Sequence, residues 1–286
     1  MANAITLAQQ FVPLLDEVYK NASLTAKLDG ASNLAQQGAN ANELIIPMLD
    51  MQGLANYTRN SGYVDGDVTL TNQTVKCNFD RGRMFTVDTL DNQETAGLAF
   101  GQLASEFIRT KVVPELDAFR FAAYCAASGI TKKQEELADG AQVLAALRVA
   151  TNAMDEAEVP QEDRHLFITP TLHGTIADLD TTKSREILSC FASITKVPQS
   201  RFYTAITQTA SGAGGYTKGG GAADLNFMVL HKAALIQYEK HVAPKIISPD
   251  QNQTADAWKF GYRNVGIASV YKNKAVGIYA SHKAAG

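Results

Sequence analysis

The stretch SGAGGYTKGGGA, Ser211 to Ala222, is the first place where residue types and spacing suit chemistry, because glycine-rich loops cradle phosphates. A P-loop needs GxxxxGK and then Ser or Thr, but Lys218 follows Tyr216-Thr217 and precedes Gly219. A dinucleotide fingerprint fails as well, since Gly212 and Gly214 lack a third glycine at position 217. The segment therefore reads as a mobile surface loop.

The five histidines, His165, His173, His231, His241 and His282, show no HExxH or other ligand spacing, and none is flanked by a cysteine pair. Cys77, Cys125 and Cys190 lie too far apart for a disulfide framework or a metal knuckle, which suits synthesis in a reducing compartment. Cys77 falls in an alternating strand and reads as a small half-buried apolar residue rather than a thiolate. There is no GxSxG nucleophile elbow. Asp155, Glu156 and Glu158 lie along a helix end and read as a solvated face. Aromatics are dispersed, without the basic interleaving of a base-stacking platform. The expectation is a chain with no catalytic, cofactor-binding or metal-ligating set, and so not an enzyme.

The elements that would position any site come next. With 286 residues, 45% hydrophobic against 19% charged, the chain has material for one large domain or two smaller ones sharing a core. Its formal charge of −3 provides no global basic field for nucleic acid. The start, MANAITLAQQFVPLLDEVYK, has no basic region before an apolar one, and no apolar run approaches the length of a membrane span. Neither secretion nor membrane insertion is expected.

Residues 1–43 are rich in Ala, Asn and Gln and read as an arm. From Leu44 to Val87 the period is two, as in Val75, Cys77 and Phe79, which means strand. Turn signals at Asn60-Ser61-Gly62 and Asp65-Gly66 fold this segment into a long hairpin. Its outer part, Tyr57 to Thr74, has too few large apolar residues for a core of its own, and an isolated ribbon is marginal in water.

A capping-box-like pair, Asp91 and Glu94, opens a helix predicted to run to Ser128-Gly129. Leu103, Phe107, Val112, Leu116, Phe119 and Ala123 trace its apolar stripe, and its length is about 50 Å at about 1.5 Å per residue. Pro114, in its interior, is expected to bend it. A second helix is expected from Asp139 to about Glu158, then a buried strand at Leu166-Phe167-Ile168 and a helix opened by Thr169-Pro170. Further strands are expected at Arg201 to Thr207, Asn226 to Leu230, Lys245 to Ile247, Ala257 to Tyr271 and Ala275 to Ser281, the last two joined by a tight turn at Asn273. The order suits an α+β fold.

The segment FDRGRMFTVDTLDNQETAGLAFGQLASEFIRTKVVPELDAFRFAAYCAAS, Phe79 to Ser128, resembles the junction of hairpin and spine helix in major capsid proteins of tailed bacteriophages with the Hong Kong 97 phage-type fold. ADAWKFGYRNVGIASVYKNKAVGIYASHK, Ala255 to Lys283, resembles their closing strands. The resemblance implies an N-terminal arm (1–43), an extended hairpin loop (44–87), a peripheral domain with a long spine helix (88–138 and 241–286) and an axial domain (139–240). It makes the hairpin tip, with Tyr57, Arg59, Asn60, Gly62, Tyr63, Asp65, Gly66 and Asp67, an inter-subunit contact, and Pro114 the bend of the spine. The glycine-rich loop is a candidate for a tip at the capsomer axis.

The implied function is a major capsid protein that assembles as pentamers and hexamers into an icosahedral shell around phage double-stranded DNA. Its partners would be other copies of itself, a portal protein at one vertex, DNA touched weakly and non-specifically, and no membrane; its place would be the virion, assembled in the host bacterial cytoplasm. Some relatives carry a scaffolding segment of their own before the arm; the short stretch here implies a separate scaffolding protein. Some relatives also join hairpin to peripheral domain by a lysine-to-asparagine bond, yet Tyr57 to Thr74 contains no lysine, so non-covalent contacts are expected. Two alternatives remain: an encapsulin-like bacterial nanocompartment shell protein, separable by gene neighbours, and an α+β enzyme without a recognisable motif, separable by particle size.

Overall fold

A computed structural model describes residues 23–30, 36–37, 43–57, 59–60, 62–89, 104–179 and 181–285. Strands β1 (Gln36–Gln37), β2 (Glu43–Met51) and β3 (Val68–Lys76) form one small antiparallel sheet. Period two holds in the return strand, where Gln73, Val75 and Phe79 are buried and Thr74, Lys76 and Asn78 are exposed. The hairpin's pairing stops at Glu43 with Lys76, and β4 (Phe79–Asp88) leaves it to pair with residues Ala257 to Gly266 in another sheet. Leu44 and Val75 bury the base of the ribbon against Ile236 and Ile267.

The long helix is seen from residue 104; its predicted Asp91-Glu94 start lies outside the described residues. A π-helical turn occupies Ile108–Val112, and α1 (Val113–Ala126) continues from it. The end falls at Ala126, before the predicted Ser128-Gly129, because Ala127 is extended and Gly129 adopts a φ of 83°. Pro114 sits in the first turn of α1. In a regular α-helix its ring would strike the carbonyl of Thr110, and the wider π turn lies where that clash would arise.

Strands β5 (Thr131–Gln134), β6 (Arg164–Ile168), β7 (Ser193–Lys196), β10 (Ala223–His231) and β13 (Ile278–Ala285) form a mixed sheet in the order β5-β13-β10-β6-β7. On one face Leu166, Ile168, Phe227, Val229 and Tyr279 meet α2 (Gly140–Glu156), α3 (Pro170–Leu179) and α4 (Thr182–Ser189). On the other, Phe167, Met228, Leu230 and Ile278 meet Phe121, Tyr124 and Cys125 of α1. Each fully buried side chain of this size stabilises by about 1.5–3 kcal/mol. Asp139, where the second helix was expected to begin, caps α2, its Oδ1 accepting the Gln142 N–H at 2.8 Å.

The N-terminal half of the spine covers a different sheet: Ala104, Ile108, Val113 and Leu116 pack on Phe79, Phe260 and Tyr262. That sheet contains β11 (Leu235–Ile247) and β12 (Ala257–Val270), so one helix ties two sheets together in an α+β fold. β11 is longer than the predicted Lys245 to Ile247. β12 and β13 are not the two arms of a hairpin at Asn273; a 3₁₀ segment, Lys272–Gly277, carries the chain from one sheet to the other. A small ribbon, β8 (Ile206–Gln208) with β9 (Tyr216–Lys218), carries the glycine-rich loop.

Candidate functional site

Leu49 faces Leu70 and Met51 faces Val68 across the hairpin, so these four apolar side chains share one face of the ribbon. All four are exposed, as are Leu54, Tyr57, Tyr63 and Val64 beyond them. Eight of the twelve exposed large hydrophobic residues among the described ones lie between positions 49 and 70. Concentrated exposure of this kind marks an interaction surface rather than ordinary scatter.

At the tip, the Gln52 N–H donates to the Asp67 carbonyl at 3.3 Å and the Asp67 N–H to Gln52 Oε1 at 3.2 Å, closing the ribbon. The rings of Tyr57 and Tyr63 approach with centroids 5.0 Å apart, and Gly62 adopts a φ of 76°. Arg59, Asn60, Asp65 and Gly66 are exposed beside them. The expected tip residues thus form one local structure, with Pro114 far along the chain in the spine; the structure contains a single subunit.

The glycine-rich loop does not stand free. Arg81 of β4 donates Nη2 to the Thr209 carbonyl at 2.9 Å and Nε to Glu115 Oε1 at 2.7 Å, while Arg83 donates to the Gly212 carbonyl at 2.9 Å. Gly214 adopts a φ of 68°, a backbone conformation that favours glycine, and the mobile end of the Arg83 side chain lies 2.8 Å from where a Cβ would stand. These bonds fold the loop back onto β4 beside the spine and enclose a groove of about 920 Å³. Phe85, Phe107 and Tyr262 line its apolar floor, with Phe85 and Phe107 edge to face at 4.7 Å.

A polar centre that sequence reading missed lies behind the spine. Asp117, fully buried, accepts from Ser23 Oγ at 2.9 Å, Leu24 N at 3.1 Å, and Thr25 N and Oγ1 at 3.3 and 2.7 Å. Arg120, also buried, donates to Thr25 Oγ1 and to Glu239 Oε1, each at 2.7 Å. Burial in this centre pushes the Tyr124 hydroxyl far above its ordinary pKa, against the pull of Arg120, and it donates to Gln237 Oε1. Ser23 to Gly30 is therefore a clip fixed in the body, although it belongs to the expected arm.

Burial also pushes the Cys125 thiol up to about 12, which suits an inert core residue. Asp155 is not merely solvated, since its Oδ1 lies 2.7 Å from Arg164 Nη2. His165 Nδ1 meets Ser193 Oγ at 2.8 Å, a contact between paired strand positions. Among the described residues no cluster of three or more His, Cys, Asp or Glu could hold a metal ion, and no helix is long and apolar enough to cross a membrane.

Neither a protein-family model nor any curated protein matches the sequence. Solved structures do. A Gordonia phage Cozz chain aligns with a TM-score of 0.61 over 92% of this chain and 87% of its own, at 14% identity. The capsid structure of cyanophage P-SCSP1u aligns at 0.58 over 88% and 86%, with 12% identity. The chain has the phage capsid fold. That same capsid fold also aligns with a virus-like particle from Pyrococcus furiosus at a TM-score of 0.58, over 95% of this chain and 99% of that one, at 10% identity.

Proposed function

We propose that this chain is a major capsid protein whose copies assemble as pentamers and hexamers into an icosahedral shell around phage double-stranded DNA. The observation that carries the reading is the hairpin: a ribbon with an apolar face exposed from Leu49 to Leu70, on a chain with the capsid fold. A single subunit leaves that face in water, and a neighbouring copy would bury it. The tip, Tyr57 to Asp67, is the part that reaches the neighbour. The chain's work is structural rather than catalytic.

The division into arm, hairpin, peripheral and axial parts stands in this proposal with the pairing described above. Pro114 and its π turn supply a compliant point in the spine, at which one sequence fits non-equivalent lattice positions. A separate scaffolding protein directs assembly in the host bacterial cytoplasm, a portal protein occupies one vertex, and the product is the virion. The alignment with an entire virus-like particle subunit favours a second reading, a nanocompartment shell enclosing an enzyme in place of DNA.

Sedimentation of the full chain, with and without the product of a neighbouring scaffold gene, tests the proposal. Capsomers or megadalton particles are expected. A monodisperse small oligomer under both conditions would overturn it.

A further inference from the structure

The groove of about 920 Å³ between β4, the spine and the glycine-rich loop combines an aromatic floor with a surplus of positive charge. Glu115 in its wall is matched by Arg81 at 2.7 Å, Glu106 by Arg109 at 2.7 Å, and Lys218 by Asp224 at 2.8 Å. Arg83 and the exposed Lys111 also line it, and among the described residues neither is in an ion pair, Arg83 donating to the Gly212 carbonyl. An apolar cleft with two uncompensated cations suits an occupant that carries both large apolar side chains and carboxylates.

The segment FVPLLDEVY, Phe11 to Tyr19, has that composition, with Asp16-Glu17 set among Phe11, Val12, Leu14, Leu15 and Val18. It lies outside the described residues, but the chain that follows it is fixed beside the groove. Ser23 Oγ donates to Asp117 Oδ1 at 2.9 Å, and Arg201 Nη1 lies 3.5 Å from Oδ2 of the same carboxylate. The carbonyl of Ser200, next to that arginine, accepts from the Tyr216 hydroxyl at 2.8 Å, and Ser200 and Tyr216 both line the groove. Only Lys20, Asn21 and Ala22 separate Tyr19 from Ser23, a reach of about 13–14 Å when extended. The hairpin tip of another copy is apolar too, but it must arrive from solution. A tether this short presents the arm at an effective concentration of about millimolar.

We propose that, in the unassembled subunit, residues 11–19 dock into this groove of their own chain. Their apolar side chains cover Phe85, Phe107 and Tyr262, and Asp16-Glu17 faces Arg83 and Lys111. The arm then shields from water an apolar cleft that the rest of the chain leaves open. The inference concerns a single subunit and does not depend on the shell reading.

Photo-cross-linking of the full chain, with Leu15 replaced by p-benzoylphenylalanine and the protein at micromolar concentration, tests it. The cross-linked product should run at the mass of one chain, and its peptides should map to the floor of the groove or to the glycine-rich loop. Lys111→Glu should cut the yield by about twofold to fivefold, the worth of an exposed charge pair, and adding Asp16→Lys and Glu17→Lys should restore it. Lys111 is exposed and residues 16 and 17 lie outside the packed body, so these variants should melt like the unaltered chain. Cross-links that map elsewhere, or a yield indifferent to the charge exchange, would overturn the assignment. Product at twice the chain mass would also overturn it, by giving the groove to a neighbouring copy, while leaving the shell reading intact.

Discussion

The buried carboxylate of Asp117 accepts the hydroxyl hydrogen of Thr25 at 2.7 Å, across 92 positions of sequence. The same hydroxyl accepts from Arg120, so one threonine links a buried anion to a buried cation. Thr25→Val keeps the shape and removes both bonds. It should cost about 1–3 kcal/mol in urea unfolding, because the charged groups left behind stay out of water. Asp117→Ala should cost more, about 3–5 kcal/mol, by removing one side of a buried charge network. A loss under about 0.5 kcal/mol for either variant would show that the clip contributes little to the fold.

The extra residue of the π turn and Pro114 should be energetically coupled. Ile108 and Val113 share one buried face at a spacing of five, which an α-helix would fill with four. Deleting exposed Lys111 restores the α spacing but drives the proline ring into an α-helical carbonyl, at a cost of about 3 kcal/mol or more. Adding Pro114→Ala to the deletion should recover much of that loss. Equal destabilisation with and without the proline would contradict the coupling.

Stability should fall as pH drops from about 7 to about 5. Burial, with Lys232 and Lys27 nearby, holds His165 below its ordinary value, and burial with Arg164 and Lys274 does the same to His231. The unfolded chain then binds more protons than the folded one below about pH 6.5, so stability is full above that value and is lost as pH falls through the folded pKa. The double variant His165→Gln, His231→Gln should show a flatter dependence across the same window. A steeper or unchanged slope would rule out these histidines.

Much of this was legible in the sequence and some was not, for identifiable reasons. The return strand declared itself through the alternation of Val75, Cys77 and Phe79, of which Val75 and Phe79 are buried and Cys77 partly so. The π turn was not read from the sequence, where a bend at Pro114 was expected; the expected stripe does step by five from Phe107 to Val112, but the buried face runs one residue later, through Ile108 and Val113. β11 was mostly missed because a bulge between Glu239 and His241 breaks its alternation and Pro244 sits within it. β5 has every side chain exposed and so no period at all. The clip offers only Leu24, Leu28 and a buried Thr25 in a polar stretch, and its partners, Asp117 and Arg120, stand three apart in sequence as charged residues on any solvated helix do. Nothing local announced that Arg81 and Arg83 would hold the glycine-rich loop, because those contacts span distant parts of the chain.

Purified particles should be held together without covalent links, since no lysine lies between Tyr57 and Thr74 and Lys76 is exposed near the hairpin base. Boiled in detergent with reductant, they should run as a single band near the chain mass of 30.8 kDa. A surviving ladder of dimers to hexamers would contradict this and point to Lys76 as donor.

Electron microscopy of the full chain beside a variant lacking Asn60 to Asp67 tests the central claim most directly. The tip buries little within its own subunit, so the deletion should melt cooperatively, near the unaltered protein, while forming no shells. The unaltered chain, given its scaffold, should form closed icosahedral particles. Shells built equally well without the tip, or none from the unaltered chain under any assembly condition, would contradict the account.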